Sequence, residues 1–140
     1  MISLFFYTLA SNLKTLIMKT LLFIPLLFVC SMVIGQSNKI IGKPIRIGKL
    51  EVAQYDIPNR MYWDNAFYAC EDLGDGWRLP TKNELNLMYL NKDKIGGFAK
   101  DYYWSSSEYS SGQFWKQNFD HGYQSNGYTN YVNVRAVRSF

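Results

Sequence analysis

The stretch "MYWDNAFYACEDLGDGWRLPTKNELNLMY", Met61 to Tyr89, carries two helices and the corner that joins them. Trp63, Ala66, Phe67, Cys70 and Leu73 recur at the spacing of one helix face, which predicts an amphipathic helix from about Met61 to Leu73. Cys70 lies on that face and therefore reads as a small core hydrophobe, not a reactive thiol. Gly74 and Gly76 end the helix and turn the chain into Trp77. A second helix starts at Thr81. With Glu84 it forms a T-x-x-E capping box, in which the threonine hydroxyl accepts from a first-turn amide and the glutamate reaches back to the threonine N–H. Leu85, Met88 and Tyr89 form the inner stripe of this helix, and the restricted φ of Pro80 sets the chain direction into the cap.

Upstream, "NKIIGKPIRIGKLEVAQYDIP" (Asn38 to Pro58) predicts a short linker and then one or two strands, with Ile45, Ile47, Leu50 and Val52 pointing inward. Lys43, Arg46 and Lys49 are spaced along this region as a solvated strand edge. Downstream the chain changes character. Glycines 96, 97, 112, 122 and 127 punctuate short aromatic segments, of which "YYWSS", "QFWKQNF" and "YVNVRAVRS" are the strand candidates. In the last of these Val132, Val134 and Ala136 share a face. Helices followed by short strands indicate an α+β domain with an irregular second half.

The N-terminal part has a different task. "MKTLLFIPLLFVCSMVIGQ", starting at Met18, has a lysine, an uncharged apolar run and then small residues, the layout of a secretory signal peptide with cleavage after Gly35. The run is shorter than the roughly 20 apolar residues of a membrane span, so no stable span is expected after cleavage. Lipidation at Cys30 is disfavoured by Val29 before it. Residues 1–17 form a further apolar stretch, which leaves either Met18 as the true start or an uncleaved anchor. The remaining segments are a linker and approach to the first strand over 36–46 and a domain over 47–140. Lys14 and Lys19 leave with the signal, so thirteen basic residues face eleven acidic ones, a net charge of +2. That is too small for a nucleic-acid footprint. Cys70 then remains as a lone thiol.

Catalytic equipment is sparse. His121 is the single histidine, in a turn-like "FDHGY", and no metal-binding, nucleophile-elbow or phosphate-loop motif occurs. Glu108 and Asp120 are the loop carboxylates available for glycoside hydrolysis, which requires a defined separation. No D-x-D-x-D-G run offers a calcium loop. No catalytic residue, metal ligand or cofactor is therefore assigned. What stands out is the run from Tyr102 to Tyr131, in which aromatic residues alternate with Ser, Asn, Gln and Gly. Part of it is core, with Trp104 and Phe119 as the inward residues. The rest has the composition of binding loops, and Tyr109, Trp115, Tyr123, Tyr128 and Tyr131 are the candidate ligand contacts.

Taken in order, "MYWDNAFYACEDLGDGWRLPTKNELNLMY", "GGFAKDYYWSSSEY", "FWKQNFDHG" and "VNVRAVRSF" resemble the bacterial family typified by the C-terminal domain of the Legionella collagen-like adhesin, over about Ile47 to Phe140. The resemblance implies a C-type-lectin-like fold: two helices flanking a twisted antiparallel sheet, with long irregular loops carrying the ligand surface. It assigns Trp77, Arg78, Leu79, Pro80, Thr81 and Glu84 to a structural corner, Trp104, Ser105 and Ser106 to a central strand, and Arg135 and Arg138 to the last signature. Arg78 is then a buried arginine paired with Glu84 or with the Ser105 and Ser106 hydroxyls. Relatives can bridge the position of Cys70 to that of Ala136, which this chain cannot. The tripeptides of calcium-dependent lectins are absent as well. The expected function is that of an exported, monomeric, non-enzymatic recognition domain, secreted or held at the cell surface or in the periplasm. Its ligand would be a glycan, including sulfated polysaccharides, or a surface protein. The alternatives are an envelope assembly module that contacts only protein and, more remotely, a glycan-processing enzyme.

Overall fold

The computed structural model describes residues 39–127 and 130–140. The signal peptide, its cleavage point and Tyr128 lie outside the described residues. Among the described residues the fold has two small antiparallel sheets, with three helices between residues 63 and 95. β1 (Ile45–Ile47), β2 (Leu50–Val52) and β6 (Val137–Ser139) form one sheet in the order β1-β2-β6, and β3 (Tyr102–Ser110), β4 (Gln113–Asn118) and β5 (Gln124–Gly127) form the other in chain order. Between the sheets in sequence come α1 (Trp63–Glu71), α2 (Lys82–Leu90) and the single turn α3 (Lys92–Ile95). Among the described residues no helix is long and apolar enough to cross a membrane.

Each long helix covers its own core. The α1 face buries Ala66 and Cys70 against Trp77, Leu79, Trp104, Val132, Val134 and Ala136, with Trp63, Phe67 and Leu73 half-buried at its border. The α2 stripe buries Leu85 and Met88 against Ile47, Leu50, Val52, Tyr103, Phe119 and Val137. Between the helices, Gly74, Asp75 and Gly76 all take positive φ, a conformation that glycine adopts without a Cβ clash and that aspartate tolerates.

Three expectations are corrected. The anticipated single sheet is two, because β1, β2 and β6 form one ladder and β3, β4 and β5 another, with no strand shared between them. "YVNVRAVRS" is not a continuous strand. Val132 bridges Met61, Asn133 bridges Tyr103, the Val134 and Ala136 carbonyls accept from the N–H groups of Ile57 and Ala53, and Val137 bridges Arg78. The segment is threaded between the sheets and changes partner at nearly every step, yet Val132, Val134 and Ala136 are still buried together. The region expected as irregular loops is largely paired: β3 runs through Tyr109 to Ser110, β4 carries Trp115, and β5 extends the sheet over a Gln-Ser-Asn-Gly run. Bulge-like register shifts between Trp104 and Ser110 are where β3 departs from a regular ladder.

Candidate functional site

The corner before α2 is assembled from near neighbours. The Glu84 N–H donates to Thr81 Oγ1 at 3.2 Å and the Thr81 N–H to Glu84 Oε2 at 2.8 Å, closing both halves of the capping box. Glu84 also receives two bonds of 2.8 Å from the Arg78 guanidinium. The arginine bonds and the Thr81 amide hold the Glu84 carboxyl below the usual carboxylate range against the opposing effect of burial. Arg78 is not the buried arginine, however. Its side chain keeps 37% of its exposure, and besides Glu84 it donates to the Leu79 carbonyl at 3.1 Å and to Ser139 Oγ at 3.2 Å. Ser105 Oγ instead donates to the Trp115 carbonyl, and the Ser106 N–H and hydroxyl donate to the Pro80 carbonyl. Trp77, Leu79, Pro80, Trp104 and Ser105 are all buried.

Arg135 occupies the place that had been expected of Arg78. Its side chain is fully buried, pairs with Asp56, and donates to the carbonyls of Ala53, Gln54, Gly96 and Gly97. Asp56 also accepts from the Tyr103 hydroxyl at 2.7 Å, and burial, with this carboxylate beside it, raises the Tyr103 pKa. Arg138 joins Arg46 on Glu51, whose pKa the two guanidiniums lower.

The aromatic contact candidates separate into three places. Trp115 and Tyr109 meet edge to face at 5.1 Å. Lys82, the first residue of α2, puts its ammonium 3.2 Å from the centre of the Trp115 ring. Its backbone N–H donates to Ser107 Oγ at 2.8 Å, which fastens this helix start to β3. Asn126 lies opposite Trp115 in the β4–β5 register, and Gln117 lies opposite Gln124. The Gln117 amide donates to Asn86 Oδ1, and the Gln124 amide to Gln117 Oε1 and the Lys82 carbonyl, so bonded amides lie beside Trp115 on the same face of the sheet. Tyr123 sits apart at the β4–β5 turn beside His121, and Tyr131 pairs with Tyr62. His121 is exposed in that turn.

Glu108 and Asp120 fall at opposite ends of β3. Glu108 pairs with Phe114 and accepts from the Gly112 N–H, whereas Asp120 follows the strand end where Asn118 pairs with Tyr102. Six strand residues separate these positions by roughly 20 Å, beyond the spacing that glycoside hydrolysis uses. Among the described residues no three His, Cys, Asp or Glu side chains converge. A cavity of about 490 Å³ opens past the end of β4, between Gly96, Gly97, Phe98, Lys92 and Asp120, and includes none of the contact candidates. Sequence inspection missed Asp56 and Lys82. Asp56 stands in no motif and Lys82 fills an unspecified position of the capping box, and the contacts of Asp56 with Arg135 and of Lys82 with Trp115 are made across the fold, where no local periodicity signals them.

Comparison with curated proteins finds none that matches this chain. The profile of the Lcl C-terminal domain family matches residues 38–138, from just before β1 into β6. With the match spanning the described fold almost end to end, the chain belongs to the Lcl C-terminal domain family.

Proposed function

We propose that this protein is an exported, non-enzymatic recognition domain of C-type-lectin-like type that binds a polysaccharide on the surface formed by β3, β4 and the start of α2. The observation that carries this reading is the corner of Trp115, Tyr109 and Lys82, where two aromatic rings and an ammonium group converge on strands already braced by amides. Sugar rings present C–H faces that pack on aromatic surface, and sulfate or carboxylate substituents pair with a cation. Among the described residues no carboxylate is paired with Lys82, whose charge is therefore open to a ligand. Family membership supports a surface-recognition role, and the signal-like segment from Met18 to Gly35 supports export to the cell surface or beyond.

Binding of the purified protein to an array of neutral and sulfated polysaccharides, with calcium and again with a chelator, tests the proposal. Selective binding is expected, with a loss of about tenfold or more in Trp115→Ala and Lys82→Ala, equivalent to about 1.4 kcal/mol. Tyr131→Ala, on another part of the surface, should bind normally. A blank array with folded protein would overturn the glycan reading in favour of a module that contacts only protein.

A further inference from the structure

Tyr62 and Tyr131 are brought together by the backbone beneath them. The Met61 N–H donates to the Val132 carbonyl and the Val132 N–H to the Met61 carbonyl, each at 3.1 Å, so these two residues form a hydrogen-bonded antiparallel pair. The next position outward, Tyr62 opposite Tyr131, is of the non-hydrogen-bonded kind in which facing side chains approach most closely. The two rings lie with centroids 4.2 Å apart and planes inclined by 46°. That separation is comparable with that of two directly bonded rings. Trp104 Nε1 donates to the Met61 carbonyl at 3.0 Å, anchoring the bridge to the core, while the rings above it are 39% and 56% exposed. The neighbouring Tyr131 hydroxyl raises the Tyr62 pKa. Tyr68, Tyr109 and Tyr123 are at least as open or nearly so, but their ring neighbours are Phe67, Trp115 and His121. Among the described residues this is the tyrosine pair in ring contact.

We propose that Tyr62 and Tyr131 are an oxidative cross-linking site, joined as dityrosine by a one-electron oxidant such as a haem peroxidase using hydrogen peroxide. Each phenol gives up one electron and one proton to become a phenoxyl radical. The radicals couple through ring carbons ortho to oxygen, forming one carbon–carbon bond, and the hydrogens on those carbons pass to the oxygens to restore both phenols. The two electrons and two protons reduce one hydrogen peroxide to two waters. The bond would staple the start of α1 to the C-terminal segment, two parts of the chain held together otherwise by one backbone bridge and core packing. Constraining so long a loop reduces the freedom of the unfolded chain, as a disulfide does. The lone described cysteine, Cys70, is buried and offers no such link.

The test treats the dilute full-length chain with a haem peroxidase and hydrogen peroxide, followed by intact mass, dityrosine fluorescence, peptide mapping and thermal melting. The expected product is a monomer lighter by two hydrogen atoms, with the Tyr62 and Tyr131 peptides joined and the Tm raised. Tyr62→Phe and Tyr131→Phe should each lose the fluorescence and the mass change, whereas Tyr109→Phe should keep both. Undiminished fluorescence in the folded Tyr62→Phe and Tyr131→Phe variants would overturn the proposal. So would products linked only between chains, or no coupling in the unsubstituted protein.

Discussion

At the scale of single residues, the two arginines of the signatures divide the work by burial. Arg135 has no exposed side-chain surface, and its donors meet one carboxylate and four carbonyls drawn from before α1 and after α3. Arg135→Ala would leave Asp56 and those carbonyls without their partner. We expect a loss of about 3–5 kcal/mol, measured by urea denaturation. Arg78→Ala should cost roughly 1 kcal/mol, because water already screens much of its pair with Glu84. That pair has a pH signature. The folded Glu84 pKa lies below the ordinary value of about 4.3, so the unfolded chain binds the proton more readily in acid. Its contribution is complete above the unfolded pKa and disappears as pH falls through the folded one. Glu84→Gln keeps the cap but removes the charge, and its Tm deficit relative to the unsubstituted protein should shrink below about pH 4. A deficit unchanged from pH 7 to pH 3 would mean that the ion pair is not its source.

At the scale of elements, what could be read from sequence depended on whether the signal was local. α2 was legible because Thr81 and Glu84 announce its first turn and Leu85, Met88 and Tyr89 its buried side. α1 was legible from the Trp63, Ala66, Phe67 and Cys70 spacing. β5 was not, since Gln124 to Gly127 has neither alternation nor β-branched residues, and it becomes a strand only by pairing with β4 after the turn at Asp120 to Gly122. That turn depends on a glycine. Gly122 has φ +81°, and a Cβ there would lie 2.5 Å from Tyr89 Cε1, in the ring that packs edge-on against Phe119. Gly122→Ala should therefore lower stability by about 1–3 kcal/mol through backbone strain and displacement of Tyr89. Gly48→Ala, with similar φ but open space around it, should cost less in the same denaturation experiment. Equal losses would show that the contact with Tyr89 adds nothing.

At the scale of the whole molecule, Cys70 reports on the integrity of the α1 core. It is fully buried, and desolvation pushes its thiol up to about 12. The native protein should resist alkylation at pH 8, with labelling that appears only across the urea unfolding transition. The unfolded thiol ionises near 8.5, so above that pH the unfolded chain binds fewer protons, and stability should fall by up to about 1.4 kcal/mol per pH unit from this group. Rapid alkylation without urea would place Cys70 in a part of the fold that opens locally. The sequence by itself determined the α+β class, the two helices with their inner faces, the capped corner and the family, because each is written in contacts a few residues apart or in motifs held in order. The tertiary structure alone decided that there are two sheets, that Arg135 and not Arg78 is the buried cation, that the tail is threaded between partners, and that Trp115, Tyr109 and Lys82 meet while Tyr123 and Tyr131 stand elsewhere. Those outcomes rest on pairings between distant segments. Their energies come from burial and from satisfied hydrogen bonds, which exist only once the chain has closed on itself.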